Sequence, residues 1–135
     1  KTGQINVSCV YRDDKLEGER KSWYETGQLR VRSHYKSGKK DGSYTVWYSN
    51  GQLNCQCFYK DGKEHGPNTV WFKHESTSTR VYLQCRYNHG IADGEMKVWY
   101  ENGQLRELRY YKNGKKEGKH QTWYSNGMLH ENHTY

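Results

Sequence analysis

Tryptophan recurs at Trp23, Trp47, Trp71, Trp99 and Trp123, in steps of 24, 24, 28 and 24 residues, and the chain has no other tryptophan. A fixed period of this length means that one supersecondary unit is repeated and stacked, which constrains the fold more tightly than composition can. Further columns keep the same phase. Each tryptophan is followed by an aromatic residue: Tyr24, Tyr48, Phe72, Tyr100 and Tyr124. A tyrosine column runs Tyr11, Tyr35, Tyr59, Tyr87, Tyr111 and Tyr135. One glycine column runs Gly18, Gly42, Gly66, Gly94 and Gly118, and a second Gly3, Gly27, Gly51, Gly103 and Gly127.

Within the unit the pattern is that of strands and tight turns. Leu53, Cys55, Cys57 and Tyr59 alternate with other residues, as do Leu29, Val31, Ser33 and Tyr35, which is the period of a half-buried strand. Asp61-Gly62 and Asn113-Gly114 supply the positive φ of a hairpin turn. A second short strand, such as Thr45 to Tyr48, then runs into Ser49-Asn50-Gly51. Connections this short leave no room for a parallel crossover. The expected fold is all-β, an elongated antiparallel meander of stacked β-hairpin repeats with period 24. About eleven strands at a spacing of ~4.8 Å give a sheet roughly 50 Å long. Only 32% of residues are hydrophobic, which in an ordinary chain suggests disorder, but 15% are aromatic. Aromatic side chains bury enough area to form a thin core in place of aliphatic ones.

The repeats read as 3–26, 27–50, 51–74, 75–102, 103–126 and a partial 127–135, all in a single domain. The fourth carries four extra residues within Lys73–Arg80, where its neighbours have a glycine turn. This is either a tolerated turn insertion or a recognition loop. Asp13-Asp14 likewise stands where other repeats have a glycine turn. No capping repeat is evident at either end, so the sequence is expected to belong to a longer array or to pair its ends with partner chains.

The run Trp99-Tyr100-Glu101-Asn102-Gly103-Gln104-Leu105, continued by Tyr111-Lys112-Asn113-Gly114-Lys115-Lys116-Glu117-Gly118, resembles the MORN repeat. More narrowly it resembles the variant common in bacteria and in large DNA viruses of amoebae. The resemblance extends over essentially the whole chain. It implies stacked hairpins forming a rod whose aromatics and glycines serve the fold. It also implies non-catalytic roles: scaffolding, protein–protein contact, and membrane or lipid association. Some viral members are virion components, and some bacterial members carry an antitoxin label.

Catalytic and metal chemistry find little support in the residues. Cys9, Cys57 and Cys85 share a column whose members in adjacent repeats lie two strands apart, too far for a disulfide. With Cys55 they read as small residues of the buried face in a reducing compartment, cytoplasmic or virion-associated, metal ligation being the alternative. His130 and His133 fall on opposite sides of a strand, and His34, His65, His74, His89 and His120 read mainly as solvated turn or outward positions. No phosphate loop, nucleophile elbow or His-Glu-x-x-His signature is present. No cofactor, metal or catalytic residue is expected. No apolar run reaches the ~20 residues of a membrane-spanning helix.

The net charge of +7 favours acidic partners. One set of turns gathers Lys39, Lys40, Lys63, Lys115 and Lys116 into an expected basic edge, which either keeps the sheet soluble or docks on an anionic surface such as lipid. Opposite the Leu/Tyr stripe, Arg30, Arg32, Phe58, Tyr82, Arg86, Arg106 and Tyr110 mix cations with aromatics. Such a face suits protein contact, and suits single-stranded nucleic acid less. The expected function is therefore a non-catalytic scaffold or protein-interaction module that presents a repetitive β surface to a protein partner or to further copies of the array. The alternatives are a virion or capsid-associated structural protein, an anionic-membrane-associating module, and an antitoxin-type binding protein.

Overall fold

The computed structural model describes residues 6–73 and 80–135. The expectation of a recognition loop falls on residues 74–79 and so lies outside the described residues. Among the described residues there are sixteen strands: β1 (Val7–Ser8), β2 (Tyr11–Arg12), β3 (Lys15–Leu16), β4 (Gly18–Trp23), β5 (Leu29–Lys36), β6 (Lys39–Trp47), β7 (Leu53–Lys60) and β8 (Lys63–Glu64). They continue as β9 (Gly66–Trp71), β10 (Val81–Asn88), β11 (Ile91–Ala92), β12 (Gly94–Trp99), β13 (Leu105–Lys112), β14 (Lys115–Lys116), β15 (Lys119–Trp123) and β16 (Leu129–Thr134).

One sheet follows chain order, β1-β4-β5-β6-β7-β9-β10-β12-β13-β15-β16, with β8, β11 and β14 as short arms on β7, β10 and β13. All pairing is antiparallel, so the expected meander of hairpin repeats is the observed architecture. β2 and β3 pair separately as a two-stranded ribbon. Among the described residues no helix is long and apolar enough to cross a membrane.

Two kinds of turn alternate along the meander. At one edge, tips such as Ser37-Gly38 and Asn113-Gly114 hold positive φ at both positions, 51° and 83° in the first and 52° and 82° in the second. This is the two-residue turn whose twist matches the flanking strands. Asp13-Asp14 adopts the same conformation without glycine, at 52° and 64°. At the opposite edge the loops 25–27, 49–51, 101–103 and 125–127 have three residues. In Ser49-Asn50-Gly51 the Gly51 N–H donates to Tyr48 O at 2.9 Å and the Tyr48 N–H donates to Gln52 O at 2.7 Å. Gly51 itself sits at φ 91°. The odd loop length is absorbed by a bulge, so that Val46 pairs with Cys55, Trp47 pairs with Leu53, and Asn54 is the extra residue. The same bulge recurs at Arg30, Tyr82, Arg106 and His130.

Register builds the core. Ser22, Val31, Val46, Cys55, Val70, Leu83 and Val98 pair one to the next across seven strands, forming one unbroken row. Beside it on the same face stand Ser33, Tyr44, Cys57, Cys85 and Met96. Cys57 and Val98 on this core face are buried, and Ser33 is fully so. Their burial in a single-layer sheet rests on the flanking aromatic columns; the Tyr44 and Tyr59 rings, for instance, meet edge to face with centroids 5.7 Å apart. Towards the C-terminal end the row turns polar, with Glu107, Thr122 and Glu131 in the places that valines hold earlier.

Successive units are tied at both edges. Tip amides reach back one unit: Gly38 N to Leu16 O at 2.9 Å, Gly62 N to Lys40 O at 2.8 Å, Gly90 N to Glu64 O at 2.7 Å and Gly114 N to Ala92 O at 2.8 Å. At the loop edge a tyrosine hydroxyl reaches forward to the next tryptophan carbonyl, as from Tyr48 to Trp71 at 2.9 Å.

Candidate functional site

The outer face of the sheet carries a second unbroken row, one residue out of phase with the core row. Lys21, Arg32, Thr45, Gln56, Thr69, Gln84, Lys97, Leu108, Gln121 and Asn132 pair in sequence across ten strands. Nine of these ten side chains are polar, and strand spacing places them ~4.8 Å apart. Two residues along each longer strand stand His34, Phe58, Arg86, Tyr110 and Thr134. Of the residues expected on this face, Arg32, Phe58, Arg86 and Tyr110 are thus brought together on it.

Arg30, Tyr82 and Arg106 are placed differently. They are the bulge residues at the loop edge, and each packs against the aromatic that follows a tryptophan. Arg30 lies over the Tyr24 ring at 6.0 Å, Arg106 over Tyr100 at 5.8 Å, and Tyr82 meets Phe72 with centroids 4.9 Å apart. His130 completes the series against Tyr124 at 4.4 Å. The expectation of a single mixed face therefore divides into a mid-sheet group and a rim of stacked pairs. The cause is the bulge, which breaks strict alternation after the first strand residue.

Electrostatics divide the outer face further. Arg32 Nε bonds Glu19 Oε2 at 2.6 Å, and Lys21 approaches the same carboxylate at 3.4 Å. These cations, with the Arg32 hydrogen bond first among them, hold the Glu19 carboxyl below the usual carboxylate range. Lys97 pairs with Glu95 at 3.3 Å, and Tyr110 Oη donates to Glu95 at 3.2 Å. Among the described residues Arg86 has no such carboxylate partner. It lines a groove of about 270 Å³ with Pro67, Thr69, Gln84, Glu95 and Lys97.

The turn lysines do not form one solvated set. Lys40 Nζ lies over the rings of Tyr44 and Tyr59, at 4.4 and 4.9 Å, and Lys116 lies over Tyr135 at 5.5 Å. The stems of Lys39 and Lys63 cross the glycines of the next tips, within 3.6 to 3.9 Å of where a Cβ would stand on Gly62 or Gly90. Lys115 remains exposed. A column of four carboxylates and one histidine, Glu17, Asp41, His65, Asp93 and Glu117, runs beside these lysines. Glu17 accepts from Ser37 N at 3.0 Å and Asp93 from Asn113 N at 3.4 Å. The lysine edge therefore carries both signs of charge.

His120 corrects the reading of the histidines as solvated. Only 8% exposed, it lies on the core face in the column of Tyr44, Asn68 and Met96. Its Nε2 is 2.9 Å from Glu107 Oε2, which also accepts from Arg109 Nε, and Arg109 Nη1 donates to Tyr111 Oη at 3.2 Å. Column phase would have revealed this burial, because His120 occupies the position of Met96. The four cysteines are free thiols. Burial pushes the thiols of Cys55 and Cys85 up and that of Cys57 to about 11, which favours packing over nucleophilic chemistry. Among the described residues no group of three His, Cys, Asp or Glu side chains is placed to hold a metal ion.

A family model described as "MORN repeat variant" matches residues 16–37, 40–61, 92–115 and 116–135, which together make up more than half of the chain. No curated protein matches. A solved structure described as "Crystal structure of GtfA/B complex bound to UDP and GlcNAc" aligns at 11% identity and a TM-score of 0.36. That alignment covers 99% of this chain and 24% of the other, so this chain spans about a quarter of its length, and at that similarity the match carries no argument.

Proposed function

We propose, from the premise that this chain belongs to the MORN repeat variant family, that it is a non-catalytic scaffold whose outer face is its protein-interaction surface. The observation that carries this reading is the unbroken outer row from Lys21 to Asn132, flanked by Phe58, Arg86 and Tyr110. A regularly spaced field of amides, hydroxyls and cations suits contact with a folded surface or an extended chain, and Arg and Tyr are favoured anchors of such contacts. Arg86, which has no carboxylate partner among the described residues, stands to gain from an acidic group on the partner.

The same surface would serve a virion-associated or antitoxin-type binding protein, since each is a form of non-catalytic contact. Docking on anionic lipid through Lys39, Lys40, Lys63, Lys115 and Lys116 is a weaker reading. Two of those lysines are engaged by aromatic rings, and the neighbouring carboxylate column offsets the rest. Nucleic acid is disfavoured for a related reason, because Glu19 and Glu95 lie on the outer face. Free cysteines packed in the sheet support a reducing compartment.

The test is affinity capture of the native partner with the wild-type chain and with an Arg32→Glu/Arg86→Glu variant. The reading expects the partner to be retained by the wild type and lost by the variant. Equal capture by both overturns it.

A further inference from the structure

We propose that the hairpin β10–β12 is an acid-sensitive joint in the rod. In the acceptor column at the tip edge, Glu17 and Asp93 hold the tip amides of Ser37 and Asn113 with carboxylate oxygens. Where β10–β12 turns, the acceptor is instead a histidine. The His89 N–H donates to His65 Nδ1 at 3.2 Å, and the two imidazoles lie 4.6 Å apart. A carboxylate remains an acceptor throughout the neutral and mildly acid range, whereas histidine is the side chain whose charge ordinarily changes between pH 5 and 8. A proton arriving at Nδ1 turns this acceptor into a donor facing another donor. If His89 is protonated as well, two like charges stand against each other.

The opposite edge of the same hairpin lacks the tyrosine clasp, and the tie there is instead from Arg80 Nη1 to Glu101 O at 3.2 Å. Tyr24, Tyr48 and Tyr100 each donate a hydroxyl to the tryptophan carbonyl of the next unit, but the residue that would reach Trp99 is Phe72, which has no hydroxyl. Among the described junctions, this one combines a missing tyrosine clasp with a titratable tip bond. The other groups at the tip are Asn88, whose Oδ1 is 2.7 Å from His89 Nδ1, Lys63, whose stem crosses Gly90, and Glu64, whose carbonyl accepts from Gly90 N. By position, Asp61 lies on the preceding tip and Asp93 one unit on in the acceptor column. Lys63 opposes added positive charge, and the three carboxylates favour it. The ladders of β10 with β9 and β12 do not depend on either histidine, so acid loosens the joint and leaves the sheet continuous.

The experiment follows amide hydrogen exchange by NMR at pH 7.5 and 5.0, corrected for intrinsic rates, in the full chain. Alongside it, the distance distribution is measured between labels at residues 36 and 112. Protection of the His89 amide should fall about fivefold at the lower pH, as expected for loss of one hydrogen bond of ordinary net strength. Asn113, held by Asp93, should not change, and the distance distribution should broaden. His65→Asp should abolish both responses. Phe72→Tyr, which restores the clasp, should suppress the broadening yet keep the loss at His89. Parallel changes at His89 and Asn113, or an unaltered response in His65→Asp, would overturn the proposal. Should His65→Asp not fold, broadening that persists in Phe72→Tyr overturns it equally.

Discussion

The hydroxyl of Tyr24 donates to the main-chain carbonyl of Trp47 at 2.7 Å, 23 residues ahead, and Tyr100 does the same to Trp123 at 2.8 Å. In these two repeats the aromatic after the tryptophan therefore has two tasks. Its ring lies under the bulge arginine of its own hairpin, Arg30 or Arg106, and its hydroxyl fastens that hairpin to the next.

Removing one of these clasps should have a measurable cost. Tyr48→Phe deletes the 2.9 Å bond to Trp71 O while keeping the ring. A loss of about 1 kcal/mol is expected, the net value of one hydrogen bond. Urea denaturation should show the midpoint falling with an unchanged slope.

Gly51 holds φ at 91°, and a Cβ there would stand 3.2 Å from Gln28 Oε1 on the preceding loop. Gly51→Ala should cost about 1–2 kcal/mol for the left-handed backbone alone, read as a lower thermal midpoint. The double variant Gly51→Ala/Gln28→Ala should recover the part due to crowding and not the part due to φ.

Lys40 and Lys60 both sit at turns, yet only Lys40 is placed over the Tyr44 and Tyr59 rings. Lys40→Gln should lose roughly 0.5–1 kcal/mol, the range of an accessible cation–π contact. Lys60→Gln should change stability by less than about 0.5 kcal/mol. Equal effects in paired denaturation curves would remove the structural role assigned to Lys40.

Burial pushes the Cys57 thiol from its ordinary 9.0 up to about 11, and burial also raises Tyr59 to about 12. Both groups are neutral when protonated, and the fold binds these protons more tightly than the unfolded chain does. Their contribution is complete below the unfolded values and is lost as pH climbs through the folded ones. The thermal midpoint should therefore decline from about pH 9 upward. Cys57→Val keeps the apolar contact and removes the thiol, so its decline between about pH 9 and 11 should be shallower. An unchanged slope would show that the thiol does not titrate in the fold.

The meander was legible because its determinants are local and recur in phase. Asp61-Gly62 and Asn113-Gly114 name their turn type, and the Leu53-to-Tyr59 alternation names a strand. The alternation that places Arg32, Phe58, Arg86 and Tyr110 together was legible for the same reason. The separate position of Arg30, Tyr82 and Arg106 was not, because it depends on the three-residue loop and its bulge. That choice is made by backbone bonds such as Gly51 N to Tyr48 O rather than by residue type.

Charge was legible only in part. Lysines at the turns suggest a basic edge, but Glu17 and Asp93 bend back at the same edge to hold the tips, and Asp41 and Glu117 stand in the same column. His120 reads as solvated when it is taken alone. Placed in the column of Tyr44 and Met96, it reads as buried, and its contact with Glu107 supplies the polar partner such a burial calls for.

The most direct test of the account is a photo-crosslinking scan in the native setting, with a photoreactive side chain placed in turn at residues 58, 86 and 110 on the outer face and at 39 and 115 on the tips. The account predicts adducts to one protein partner from the three outer-face positions and none from the tips. Adducts confined to the tips, with the outer face silent, would contradict it.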